Sequence, residues 1–281
     1  MNLQDILVDV AELDPIAFVR THFGFHPDPA QARVLSGAIR RGLLNCCRQW
    51  GKSTTTAAAA VYHAYTNPES LSLVVSPSAR QSGEFLRKVK SFLHKLGIVP
   101  RGDGDNEMSV ILPKNRSRIV GLPGKENTIR GFSRVSLLLI DEAARVPDEL
   151  YFALRPALAT SPDATIWLMS TPHGQDGFFY EEWANKKAAW ERIRVPATEC
   201  PRIRQDFLDE ERRTLGDRWF AQEYLCKFME SESALFRTQD LEGLFSKDVR
   251  IVDLRIGGSL VITPDPNPGY DPYKPRYLNI Y

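Results

Sequence analysis

The chain has 281 residues, 43% hydrophobic and 25% charged, with a formal net charge of +1, which are globular averages for a protein able to bury a large core. No stretch approaches the roughly 18 uncharged apolar residues of a membrane span, and Met1-Asn2-Leu3-Gln4-Asp5 lacks a basic-then-apolar leader. The cysteines at 46, 47, 200 and 226 have neither disulfide nor metal-ligand spacing, as expected of reduced thiols in a cytosolic protein, and the near-zero charge gives no global support to a nucleic-acid partner.

In chain order, a helix is expected over Asp14 to His22, and a second from Pro29 to Arg40 after the turn Pro27-Asp28-Pro29. An apolar run, Gly42-Leu43-Leu44-Asn45, then leads into Cys46-Cys47-Arg48-Gln49-Trp50-Gly51-Lys52-Ser53-Thr54 and an alanine-rich helix reaching about Tyr65. A strand from Leu71 to Ser76 precedes a long helix in which Phe85, Val89, Phe92, Leu93 and Leu96 recur at helical spacing, closed by Gly97. Short strands around Val110 to Leu112 and Ile119-Val120 form a hairpin. Ser136 to Ile140 is a continuous apolar run ending in Asp141-Glu142, Thr165 to Met169 is another buried strand, and Trp190 to Val195 closes the sheet. Beyond Thr198 two charged, aromatic-rich helices are expected, Arg204 to Leu215 and Arg218 to Phe228, with Phe207, Trp219, Phe220, Tyr224 and Phe228 as a small core of their own. From Asp248 the chain is rich in proline, which suits a linker or strap.

The chemistry concentrates at two points. A strand, a tight turn and a helix make a phosphate cradle: the helix start offers unpaired N–H groups, Lys52 a full positive charge, and Ser53 a hydroxyl for Mg²⁺. Alone, Gly51-Lys52-Ser53 is equally an ordinary turn opening an Ala-rich helix, and Cys46 stands where the usual pattern has its first glycine. The second point is Asp141-Glu142, at the carboxyl end of a buried strand, where doubly wound sheets bind ligands. Asp141 suits Mg²⁺ through its waters and Glu142 suits activation of an attacking water; the bland alternative is an N-cap and first-turn acid of the following helix. Two basic groups, Arg87, Lys88, Lys90 and Lys95 on one helix and Lys114, Arg116 and Arg118 in one turn, read as solvated faces.

Taken together, Phe25 to Gln31, Arg48-Gln49-Trp50-Gly51-Lys52-Ser53-Thr54, Thr128-Ile129-Arg130-Gly131, Leu139 to Glu142 and Ser170-Thr171-Pro172 resemble the ATPase domain of the large terminase subunit, the DNA-packaging motor of tailed bacteriophages. The resemblance spans roughly residues 15 to 240. It implies an α/β fold of the RecA-like P-loop type, with a mainly parallel sheet flanked by helices: a core over 1–197, a helical lid over 198–247 and a linker over 248–281. It further implies ATP and Mg²⁺ as ligands, with Gln31 at the adenine, Gln49, Trp50, Gly51 and Thr54 around the phosphates, and Ser53 and Asp141 at the metal. Lys52 and Arg48 would meet the γ-phosphate, Glu142 would activate water, Arg130 would reach a neighbouring subunit's site, and Ser170 and Thr171 would couple phosphate loss to motion. Implied partners are double-stranded DNA, further copies in a pentameric ring on the capsid portal, the small terminase subunit and the portal protein. The implied location is the host cytoplasm, transiently the procapsid portal vertex, with no membrane.

Whole large terminases continue into a nuclease domain. The chain ends at Tyr277-Leu278-Asn279-Ile280-Tyr281 without clustered carboxylates for two-metal cleavage, so DNA cutting is not expected of it. The runner-up is a superfamily 2 helicase-like or DNA-remodelling fragment, which shares the Asp-Glu-Ala-Ala and Ser-Thr features but needs a second RecA-like domain. A small-molecule kinase and a nucleotide-binding module without turnover are the remaining readings.

Overall fold

The computed structural model describes residues 14–103, 106–124 and 131–230. Helix α1, Pro15–Phe23, starts where Asp14 accepts from the N–H groups of Ile16 and Ala17, and ends at Gly24 in the left-handed region. Helix α2, Pro29–Leu35, opens with a capping box: Gln31 N donates to Asp28 Oδ1 and Asp28 N donates to Gln31 Oε1. It stops well short of Arg40, because Ser36 closes the last turn and Gly37 follows at φ 73°.

Strands and helices then follow in the order β1 Arg41–Cys46, α3 Lys52–Thr66, β2 Leu71–Ser76, α4 Ala79–Lys95, β3 Arg101–Asp103, β4 Asn106–Ile111, β5 Arg118–Pro123 and β6 Val135–Asp141. They continue with α5 Asp148–Leu154, β7 Thr165–Ser170, α6 Gly177–Ala184, β8 Glu191–Val195 and α7 Gln205–Glu223. The eight strands form one sheet in the order β3-β4-β5-β2-β6-β7-β1-β8. From β5 to β8 neighbours run parallel, while β4 is antiparallel to β5 and β3 to β4. The expected hairpin is therefore β4–β5, and β8 closes the sheet as an edge strand beside β1.

Strand side chains alternate between two apolar layers, as a period of two requires. Leu44, Val74, Leu137, Leu139, Trp167 and Met169 face α1 to α4, whereas Leu43, Leu73, Val75, Leu138, Ile140, Ile166 and Leu168 face α5 and α6. Both faces are covered, which is why these strands read as unbroken apolar runs. Gly42 pairs with Trp167 across β1–β7, and a Cβ there would lie 2.1 Å from the indole ring, so only glycine fits. Helices α5 and α6 have no counterpart in the sequence reading. They bury Leu150, Tyr151, Leu154, Phe178 and Phe179, in patterns too short to show a helical period.

The region after Thr198 departs most from expectation. Helix α7 is two helical pieces broken at Gly216 (φ 75°, ψ 164°), between the two helices expected, but it ends at Glu223 rather than near Phe228. The carbonyls beyond that point are claimed by tertiary donors: Tyr224 O accepts from Ala197 N, Leu225 O from Arg194 Nη2, and Cys226 O from Asn45 Nδ2. Nor do its aromatics form a separate core. Phe220 and Tyr224 join the main layer beside Cys46, Cys47 and Cys200; Phe228 packs on Phe179, Tyr180 and Trp183 of α6; Phe207 and Trp219 are exposed. The sequence after residue 230, including the rest of the expected lid and the proline-rich strap, lies outside the described residues.

Candidate nucleotide site

Because β6, β7 and β1 are parallel neighbours, their carboxyl ends bring Asp141, Ser170 and Cys46 to one edge of the sheet. The loop from Cys47 to Gly51 turns there into α3. Two of its residues are left-handed, Gln49 at φ 63° and Gly51 at φ 99°. Position 51 requires glycine twice over, since a Cβ would also meet Gln31 Nε2 at 3.2 Å. No side chain caps the start of α3, so its first N–H groups and the positive end of its dipole have no side-chain acceptor.

The loop is anchored from beneath. The Trp50 side chain is fully buried in the core, so Trp50 offers a ligand only its backbone. Its carbonyl accepts from Gln31 Nε2 at 3.0 Å and from Arg202 Nη2 at 2.5 Å, and Arg202 also pairs with Asp28 Oδ2 at 3.2 Å. Gln31 is buried, and each end of its amide makes one bond, Oε1 within the capping box and Nε2 to Trp50 O, so it braces the loop.

Lys52 is buried, its ammonium donating to Cys46 O and Cys47 O at 3.3 Å and to Thr171 Oγ1 at 3.2 Å. Thr171 in turn donates to Cys46 O at 3.3 Å, while Ser170 Oγ donates to Thr171 O at 2.7 Å. Of the Ser170-Thr171 pair, Thr171 therefore touches Lys52 directly, and Ser170 bonds to Thr171. Thr54 N donates to Gly51 O and closes the first turn of α3.

Ser53 Oγ donates to Asp141 Oδ2 at 2.9 Å, joining the two motifs that the sequence separates by a whole crossover. Burial pushes the Asp141 carboxyl above its ordinary value and the Glu142 charge adds to the rise, while the Ser53 hydrogen bond opposes it. A cation at this place relieves that penalty. Two hard oxygens side by side suit Mg²⁺, which keeps most of its waters; among the described residues no group of three or more His, Cys, Asp or Glu is placed to hold a metal by itself.

Glu142 sits just beyond β6 in the left-handed region (φ 53°), which turns it out of the strand. Its carboxylate lies 3.3 Å from Arg145 Nη1. Arg48 is largely exposed at the loop's rim, 3.5 Å from Glu223 Oε2. Arg130 lies outside the described residues. All four cysteines are buried free thiols; burial pushes Cys46 well up and Cys47 and Cys226 up to about 12, so those three stay protonated.

Sequence reading brought out the loop, Asp141, Glu142, Ser170 and Thr171, and the structure gathers them. It passed over Asn45, Arg145, Arg202 and Glu223. None belongs to a periodic or spaced pattern; Arg145 alone had a local cue, three residues after an acid on a turn.

Phosphate cradle, buried acidic strand end and parallel sheet of this order define a RecA-like P-loop NTPase fold. More narrowly, the family model for the N-terminal part of T4-like-virus-type terminase large subunits matches residues 43–243, and the chain belongs to that family. It is 23% identical over 262 residues to the terminase large subunit of Escherichia phage T5, a match covering 86% of this chain and 59% of that protein, so the chain spans under two thirds of its curated relative. Among solved structures, the large terminase ATPase domain of Thermus phage P74-26 superposes with a TM-score of 0.65 at 20% identity, covering 78% of this chain and all of that one. The large terminase of a thermophilic bacteriophage in complex with ADP gives a TM-score of 0.61 at 13% identity, covering 72% of this chain and 53% of that one. At such identities the likeness is one of fold. No helix among the described residues is long and apolar enough to cross a membrane.

Proposed function

We propose that this chain is the ATP-hydrolysing part of a large terminase, which uses the energy to drive double-stranded DNA into a procapsid. The observation that carries the reading is the 2.9 Å contact between Ser53 and Asp141 beside a buried Lys52, with Glu142 one residue further on. A structural relative, a large terminase solved in complex with ADP, supports a nucleotide as the ligand. The family match favours a terminase over the helicase-like alternative.

In this reading Lys52 exchanges its carbonyl partners for phosphate oxygens, and the uncapped start of α3 and the loop N–H groups hold the remaining charge. Ser53 and Asp141 would hold Mg²⁺, which would supply charge neutralisation when bound. Glu142 accepts a proton from the attacking water, while Arg48, and Arg130 from a neighbouring copy, face the charge that develops on the transferred group. Thr171, already on Lys52, registers loss of that group and passes the change to β7. Residues 1–197 form the core of this machine, 198–247 its lid and 248–281 a connecting strap. Working partners are further copies in a ring, the portal protein and the small subunit in the host cytoplasm, and DNA gripped on its phosphates without regard to sequence, hence salt-sensitively.

Phosphate release from Mg²⁺-ATP by wild type against Lys52→Ala is the test. The variant is expected to lose about a hundredfold or more of the rate; equal rates would reject the proposal.

A further inference from the structure

Glu182, on α6, holds two aromatic side chains by their polar ends. Its Oε1 accepts from Tyr151 Oη at 2.9 Å and its Oε2 from Trp190 Nε1 at 2.6 Å. Each aromatic in turn carries an arginine. Arg155 Nη1 donates to the Tyr151 hydroxyl at 2.6 Å, and the Arg41 guanidinium lies over the Trp190 ring, 4.5 Å from its centroid. Both arginines line one cavity of about 220 Å³, together with Leu158, Ser161, Ala164 and Ile166. The cavity sits at the amino end of β1, where Arg41 pairs with Ile166 of β7, and the turn Arg155–Leu158 after α5 contributes to its wall. The nucleotide site lies at the opposite end of that strand, about 17 Å away along Arg41–Cys46.

The two cations reach this cavity with donors to spare. Stacking occupies the face of a guanidinium and leaves the N–H groups in its plane free. Arg41 has no carboxylate and no hydrogen-bond acceptor among the described residues, only the Trp190 ring. Arg155 commits Nη1 alone, to the Tyr151 hydroxyl and, at 3.7 Å, to Glu182. Neighbouring carboxylates are engaged elsewhere: Glu182 by both aromatics, Asp163 by Arg40 and Glu191 by Arg33. The charge on Arg41 is therefore uncompensated, beside apolar walls that strengthen its attraction for an anion.

Size and charge narrow the ligand. The cavity is smaller than the roughly 300 Å³ at which pockets for drug-sized ligands begin, so it suits one compact group rather than a whole nucleotide. Two guanidiniums match the charge of about −1.5 to −2 on a phosphate monoester better than the single charge of a carboxylate. We propose that Arg41, Arg155 and Ser161 form a second anion site, separate from the nucleotide site, that takes a phosphate group, either free phosphate or the terminal group of a monoester. Glu182, Tyr151 and Trp190 are its positioning residues. The proposal does not depend on the nucleotide reading above.

The test is a titration of wild type with sodium phosphate at constant ionic strength, followed by two-dimensional NMR at the Trp190 indole N–H and the amides of Ala159 and Ser161. Saturable shifts are expected at these positions, with acetate binding about tenfold more weakly or worse. Arg41→Gln is expected to weaken phosphate binding about tenfold or more, since it removes charge-assisted contacts. The shifts should persist in Lys52→Ala, because the site is independent of the phosphate loop. No shift, a shift that rises linearly without saturating, acetate binding as tightly as phosphate, or an affinity unchanged by Arg41→Gln overturns the proposal. So does loss of the shifts in a folded Lys52→Ala chain, as an effect transmitted from the loop would give. Phenyl phosphate distinguishes the sources: affinity equal to that of phosphate or tighter assigns a monoester, and weaker affinity assigns the free ion. Should Arg41→Gln lose its cooperative melt, Arg155→Gln, at an exposed position, decides on the same terms.

Discussion

The strand ends that carry Lys52, Ser53, Asp141, Glu142 and Thr171, and the segment from Arg202 to Cys226 that packs behind the loop, contribute to one site in opposite ways. The first region holds the groups proposed to act on the nucleotide, each on a local pattern of strand, turn and helix. The second holds the loop in shape through single contacts: Arg202 on Trp50 O, Glu223 on Arg48, and Cys226 O on Asn45. Chemistry here is local in the chain, whereas positioning is spread across it. Substitutions in the two regions should accordingly separate into losses of rate and losses of loop geometry.

The largest stability effect is expected where the two regions meet. Trp50→Ala empties a fully buried indole site beneath the loop, and about 3–5 kcal/mol should be lost in chemical denaturation. Gly42→Ala, on the strand side, forces a Cβ into the Trp167 ring and should lose about 1–3 kcal/mol, read the same way. Arg202→Ala should leave the melt nearly unchanged, since Arg202 is half exposed, but weaken nucleotide binding about threefold to tenfold because Trp50 O loses one of its two donors. A drop in melting temperature with unchanged affinity would place Arg202 among ordinary surface pairs and erase the contrast.

The smallest effect has the opposite sign. The Asp141 carboxyl is held above its ordinary value of 3.8, so the folded chain binds its proton more tightly than the unfolded chain. This makes the folded state less stable as pH rises from about 3.8 through the raised value, after which the penalty is constant. Asp141→Asn should therefore raise the melting temperature by a few degrees at pH 7 and lose that advantage toward pH 4, while removing the response of nucleotide affinity to Mg²⁺. A lower melting temperature at pH 7 would mean that the charge is compensated within the protein.

Much of the strand region was legible because its signals are short-range. The run Ser136 to Ile140 is apolar on both faces, and Gly51-Lys52-Ser53 sits where backbone conformation and charge both demand those residues. The second region was misread in a specific way. Phe220, Tyr224 and Phe228 recur at helical spacing, so a separate helical core was expected, but the carbonyls after Glu223 find donors on β1 and β8 and the helix ends there. The bracing bond from Gln31 to Trp50 O spans nineteen residues, and only the fold reveals it. Arg145 and Glu223 carry no spacing that sets them apart from other surface charges; their meaning lies in distances to Glu142 and Arg48.

The most direct measurement is equilibrium binding of Mg²⁺-ATPγS together with single-turnover hydrolysis of Mg²⁺-ATP, by wild type and by Glu142→Gln. Retained affinity with hydrolysis slowed about a hundredfold or more is the result predicted for an acid that acts on water beside an intact phosphate cradle. Hydrolysis at the wild-type rate, or affinity lost along with it, would contradict the account.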